Sequence, residues 1–388
     1  MIFLRFVAVS KFVLNVLLLG ATIDFPQAFN QVRFASISRL HPTLAEPLQS
    51  ISSPFVLDIS SAIITRDEAD KLLTRGNLKQ VIAHDTWLGD WFVEKLARIP
   101  SLESIGMGNT LVTDVGMGEL SKLSNLSRLS LDGAMITDRG IIDFVSKSQA
   151  DMILLDLSNT RISDESVKSL LKCVNLKYLH LEGTLITDAA SVWFDRFENL
   201  ESLVLNNCDI SDAALGSIIR MKRLSSLSLR HTRITGKGVE LLARMQTLTS
   251  LDISGNLLSD SDIDALGSCK QLEFLALDTM PLSGLCLKKV SEIPNLQYLS
   301  LERTAISNEG LAGLRFFKTL IYLNIAHTGV SVEGIKNIQE CPSLRHLDVR
   351  HSPIARLPSA EIEKLFSPER YLIEGLADEV ATLPSTDE

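Results

Sequence analysis

Ser130, Asp156 and His180 stand 26 and 24 residues apart and supply the three groups that a nucleophilic hydrolase needs. Their order rejects that chemistry. If they occupy equivalent points on neighbouring passes of the chain, the aspartate lies in the middle, whereas the imidazole must stand between nucleophile and carboxylate to shuttle the proton. His327 and His351 could bridge a metal ion, but Arg303 and Arg350 flank them and no third ligand is evident. The five cysteines, Cys173, Cys208, Cys269, Cys286 and Cys341, form no C-x-x-C pair. No H-E-x-x-H, G-x-S-x-G or phosphate loop occurs, and Gly106-Met107-Gly108 lacks a third glycine. The chain is therefore expected to be non-enzymatic, with no cofactor and no metal.

The same spacing does collect rings and cations. Phe274, Tyr298, Tyr322 and His346 follow one another at intervals of 24, Arg303, His327 and His351 form a second series, and Arg350 adjoins the last. Aromatic and Arg residues clustered on one exposed face have the composition of binding hot spots. These eight residues are the candidate contact set for a protein or peptide ligand.

A repeat must position them. The unit L-x-x-L-x-L-x-x-T-x-I-[ST]-D recurs thirteen times, with first positions at 54, 78, 102, 126, 152, 176, 200, 224, 248, 272, 296, 320 and 344. One step departs from 24, the 26 between 126 and 152. The L-x-x-L-x-L alternation predicts a short parallel strand with its leucines in the core and its third and fifth positions facing solvent. Adjacent strands lie about 4.8 Å apart, so the four rings should form a contiguous ladder. The ninth-position Thr can satisfy backbone groups exposed by the turn. The [ST]-D pair, as at Thr137-Asp138, Ser163-Asp164 and Ser211-Asp212, predicts a helix N-cap with its Asp favoured by the helix dipole. Gly140, Gly238, Gly310 and Gly334 lie just beyond, where a close helix-to-strand approach is expected.

L-x-x-L-x-L-x-x-[TCN]-x-[IL] resembles the leucine-rich repeat. The continuation at Thr184-Leu185-Ile186-Thr187-Asp188 is similar to its cysteine-containing and ribonuclease-inhibitor-like classes. The resemblance covers roughly residues 54 to 366. It implies an α/β solenoid, or horseshoe, with parallel strands on the concave face and helices on the convex face. It further implies recognition of a partner through the concave face, without identifying that partner.

Composition narrows the class. A net charge of −9 and a pI near 5.4 argue against nucleic acid, whose phosphates need clustered Lys and Arg. Arg5 and Lys11 precede the uncharged run from Phe12 to Ile23, which is short for a transmembrane helix and fits a signal-peptide core or, with the residues before it, a signal anchor. Either places the repeats outside the cytoplasm, and the membrane is touched only through that segment. The alternative is an apolar cap on a cytosolic adaptor or inhibitor of the ribonuclease-inhibitor-like type. Cys173, Cys269 and Cys341 share one repeat position several turns apart, too far for disulfides, so all five cysteines are expected to be free, buried and small. The expected organisation is a targeting segment over 1–23, a capping flank over 24–53, repeats with a terminal cap over 54–366, and a tail over 367–388. In the flank, Phe29, Val32, Ile37 and Leu40 could form one apolar helical face, and Ile362, Leu365 and Phe366 suggest a closing helix.

Overall fold

The structure, a computed structural model, describes residues 54–73, 77–358, 361, 365, 366 and 371–375, with the backbone of 30–33. Two compact units divide the chain, Met1–Asp209 and Ile210–Glu388. In the first, eight strands follow in chain order: β1 Asn30–Arg33, β2 Phe55–Asp58, β3 Leu78–Ile82, β4 Ser104–Gly106, β5 Arg128–Ser130, β6 Leu154–Asp156, β7 Tyr178–His180 and β8 Ser202–Val204. Each pairs in parallel with the next. The second unit repeats the plan with β9 Ser226–Ser228, β10 Ser250–Asp252, β11 Phe274–Ala276, β12 Tyr298–Ser300, β13 Tyr322–Asn324, β14 His346–Asp348 and β15 Leu372–Glu374.

The register follows the sequence period. Leu155 pairs with Leu179 and Leu179 with Leu203, and all three are fully buried. Short helices return the chain between strands, and they bury one face each, as Phe92, Phe144 and Phe194 show. In the second unit several return segments are 3-10 turns, including Gly310–Phe316 and Pro353–Arg356. The ninth-position threonines act as expected. Thr110, Thr160, Thr184, Thr304 and Thr328 are buried and donate to the carbonyl three residues earlier at 2.6–2.7 Å. None of the five cysteines is in a disulfide.

The helix starts differ from expectation in an instructive way. Thr113, Thr187, Ser211 and Thr235 do cap their helices, but Thr137 and Ser163 make no side-chain cap. The aspartate beside them serves the following turn instead. Asp114 accepts from the Thr137 backbone N–H (2.8 Å) and hydroxyl (2.6 Å), and Asp90, Asp138, Asp164 and Asp212 repeat this at Thr113, Ser163, Thr187 and Thr235. Asp260 does so at Ser283, and Asn308 substitutes at Ser331. At these six aspartates, a carboxylate that accepts several N–H and O–H bonds therefore staples its turn to the next. Gly140, Gly238 and Gly334 make room for that group: a Cβ would collide with Asp114, Asp212 and Asn308. They permit close approach between turns rather than between helix and strand.

Both ends add a strand. Asn30–Arg33 pairs with β2, so Val32 belongs to extended chain rather than to a helical face; Phe29, Ile37 and Leu40 lie outside the described residues. Leu372–Glu374, within the expected tail, pairs with β14. Glu361 and Leu365 are helical, and residues 362–364 between them lie outside the described residues, as do 1–29 and 376–388. No helix among the described residues is long and apolar enough to cross a membrane.

Candidate partner-binding face

The eight candidate residues fall in the second unit, on consecutive strands and the turns that follow them. In-register pairing sets Phe274 beside Tyr298, Tyr298 beside Tyr322, and Tyr322 beside His346. The rings stack with centroids 4.3, 4.5 and 6.3 Å apart and interplanar angles of 16°, 10° and 21°. Stacking of this order supplies about 0.5–1.5 kcal/mol per pair beyond burial. Its consequence is directional: the flat faces are spent on one another, and only edges and hydroxyls remain for a partner.

The expectation that third positions face solvent needs correction. Of the thirteen, seven are buried and six half-buried. Phe274 is only 6% exposed and acts as the wall of the ladder rather than as contact area. Ser202 and Ser250 are buried with unpartnered hydroxyls beside Tyr178 and Phe274. At about 4.8 Å spacing a large ring overhangs the small residue on the next strand. Tyr298, Tyr322 and His346 remain half-buried, whereas Arg303, His327, Arg350 and His351 are exposed.

The cations are engaged too. Arg350 Nε donates to both oxygens of the fully buried Asp348 carboxylate, at 3.0 and 2.9 Å, and its Nη2 joins them. Such a bidentate pair positions the guanidinium and leaves less of it for a ligand than the sequence suggests. Arg303 contacts Glu302 at 2.5 Å and His327 Nε2 at 3.3 Å, and His327 stacks on His351 at 4.3 Å. Desolvation and the charges of Arg303 and His351 hold His327 below the usual histidine range; desolvation does the same at His346. Under the ladder, burial raises Asp278 to about 6 even though Ser300 and the Glu302 N–H donate to it at 2.5 and 2.8 Å.

Sequence reasoning missed the backbone of this face. Every eighth position from 61 to 351 has positive φ, between 48° and 70°. Gly133, Gly183 and Gly255 suit that conformation, and Asn109, Asn159 and Asn207 tolerate it. Arg303, His327 and His351 occupy the same left-handed site, with φ of 53°, 54° and 57°. The alternation of Gly and Asn at these positions is the signal that could have shown it.

The triad geometry is absent where the sequence made it conceivable. Ser130 donates to Asp156 at 3.2 Å, and His180 Nε2 has no partner. Among the described residues no three His, Cys, Asp or Glu side chains are grouped to hold a metal.

Comparison with known proteins agrees with this architecture. The leucine rich repeat family model matches residues 222–280. An internalin structure from Listeria monocytogenes is similar at a TM-score of 0.53 and 22% identity, covering 78% of this chain and 88% of that one. The mouse RP105/MD-1 complex is similar at a TM-score of 0.50 and 15% identity, covering 80% of this chain and 63% of that one, so this chain spans less than two thirds of it. No curated protein matches. At these identities the likeness is one of fold. The parallel strand register, the buried leucine columns and the matched repeat give the chain the fold of a leucine-rich-repeat solenoid.

Proposed function

We propose that this protein is a non-enzymatic scaffold that holds a protein or peptide partner on the strand face of its second unit. The observation that carries the reading is one contiguous patch. The ring edges of Tyr298, Tyr322 and His346 lie beside exposed Arg303, His327, Arg350 and His351, with rigid aromatic area and charged groups over adjacent turns. The structure of RP105 in complex with MD-1, a similar fold, supports partner binding by such a scaffold. An N-terminal signal peptide or anchor would place this face outside the cytoplasm. The second reading, a cytosolic adaptor or inhibitor, draws on the five thiols outside any disulfide. Fractionation with mass spectrometry of the mature N-terminus separates the two.

The binding experiment uses a partner recovered by affinity capture and then purified. Tyr298→Ala with Tyr322→Ala is expected to weaken its Kd at least about thirtyfold. Because these changes also remove stacking, Tyr322→Phe is the folding-neutral companion, and Val174→Ala with Val192→Ala, both exposed elsewhere, is the control. Equal, negligible losses in the ladder and control variants would move the site away from this face.

A further inference from the structure

The first unit carries a separate polar constellation. Asp156 and His180 are register partners on β6 and β7, and Asp132 and Glu182 stand two residues past β5 and β7. The four act on one another. Burial, then the charges of Asp156 and Glu182, raise Asp132 above the usual carboxylate range, with Asn159 and His84 opposing. None of the three carboxylates joins an ion pair among the described residues. Their partners are neutral donors: Asn159 to Asp132 (2.8 Å), Ser130 and the Ser158 N–H to Asp156 (3.2 and 3.1 Å), and Asn206 and Asn207 to Glu182 (3.0 and 3.2 Å). His180 Nε2 is closed off from solvent beside them and has no hydrogen-bond partner.

Three partly desolvated anions beside an orphaned imidazole nitrogen, with no Lys or Arg paired to them among the described residues, form an uncompensated site. We propose that this cluster binds a cationic side chain, a lysine ammonium or arginine guanidinium, presented by a protein or peptide partner. The donor set favours that class. No three of these groups converge to hold a metal ion, whereas a multi-donor organic cation can span carboxylates that are spread over three turns. His180 accounts for the cluster when it is empty: it lies in register beside Asp156 and feels the charges of Glu182 and Asp132, so a proton on it, like one on His84 near Asp132, is a cation that the site can supply for itself. Burial holds that proton off at neutral pH, and the carboxylates oppose this only in part. At pH 7 the site is thus without a proton on His180, and a partner's cation can take that place.

The test titrates the full chain with fluorescent hexalysine at physiological ionic strength. Asp156→Asn with Glu182→Gln is expected to weaken binding by about tenfold or more, since both changes remove charge at the contact. Glu309→Gln with Glu333→Gln removes the same charge from exposed positions in the second unit and is expected to change it less than about twofold. Asp132→Asn, checked by its melting curve, serves if the double variant does not fold. NMR titration of the histidines adds an independent readout: bound hexalysine should lower the His180 pKa more than that of any other histidine. Equal losses in both double variants would reduce the effect to net charge and overturn the site. So would spermidine that competes as well as the peptide, calcium that displaces it, or a His180 titration that does not move.

Discussion

At the scale of single residues, the left-handed column places a cost where the candidate contacts lie. An L-residue in that conformation costs roughly 1 kcal/mol, less for Asn and least for Gly. Thr279 and Arg303, at φ of 56° and 53°, are the members that local preference supports least. Arg303→Asn is accordingly expected to raise stability by about 0.5–1 kcal/mol in urea unfolding, because the exposed Glu302 pair that it removes is worth little. The same change should weaken partner binding. A variant less stable than wild type would show that Arg303 is held by contacts rather than kept for a ligand.

At the scale of elements, the aspartate staples make the joints between turns sensitive to acid. Burial opposes ionisation of Asp138 and Asp260, but hydrogen bonds outweigh it, from Ser163 and Ser166 at Asp138 and from the Cys286 and Ser283 backbone at Asp260. Both carboxyls end below the usual aspartate value. A folded-state pKa depressed below the unfolded one contributes stability that is present above about pH 4 and is lost as pH falls through the folded value. Asp260→Asn should therefore cost about 1 kcal/mol or more at pH 7, with the difference from wild type closing below about pH 4. Denaturant midpoints across that range measure it. A difference that does not change with pH would mean that the carboxylate charge contributes nothing to the staple.

At the scale of the whole molecule, each unit is a stack in which a turn meets only its neighbours, so damage spreads along the array. Leu179 is fully buried between Leu155 and Leu203, and Leu179→Asp should cost several kcal/mol and loosen the turns on either side. Hydrogen exchange would show loss of protection from β6 to β8. An unchanged melting curve would contradict the register.

What the sequence determined by itself is whatever repeats: the period, the parallel register, the leucine columns and the buried threonine row. Each of these depends on a residue's position within its own turn, and the 24-residue spacing states that position directly. The sequence also brought Phe274, Tyr298, Tyr322 and His346 into one ladder and ruled out a Ser130–Asp156–His180 relay. The tertiary structure alone decided what depends on the next turn. It showed that Phe274 is shaded by Tyr298, that Arg303 reaches His327, that Asp114 serves Thr137 rather than its own helix, and that His180 is left without a partner. The reason is distance. Neighbouring turns are about 4.8 Å apart, less than the reach of a Tyr or Arg side chain. Exposure and ring stacking on this face are therefore set by side chains 24 residues away, whose rotamers no repeat pattern encodes.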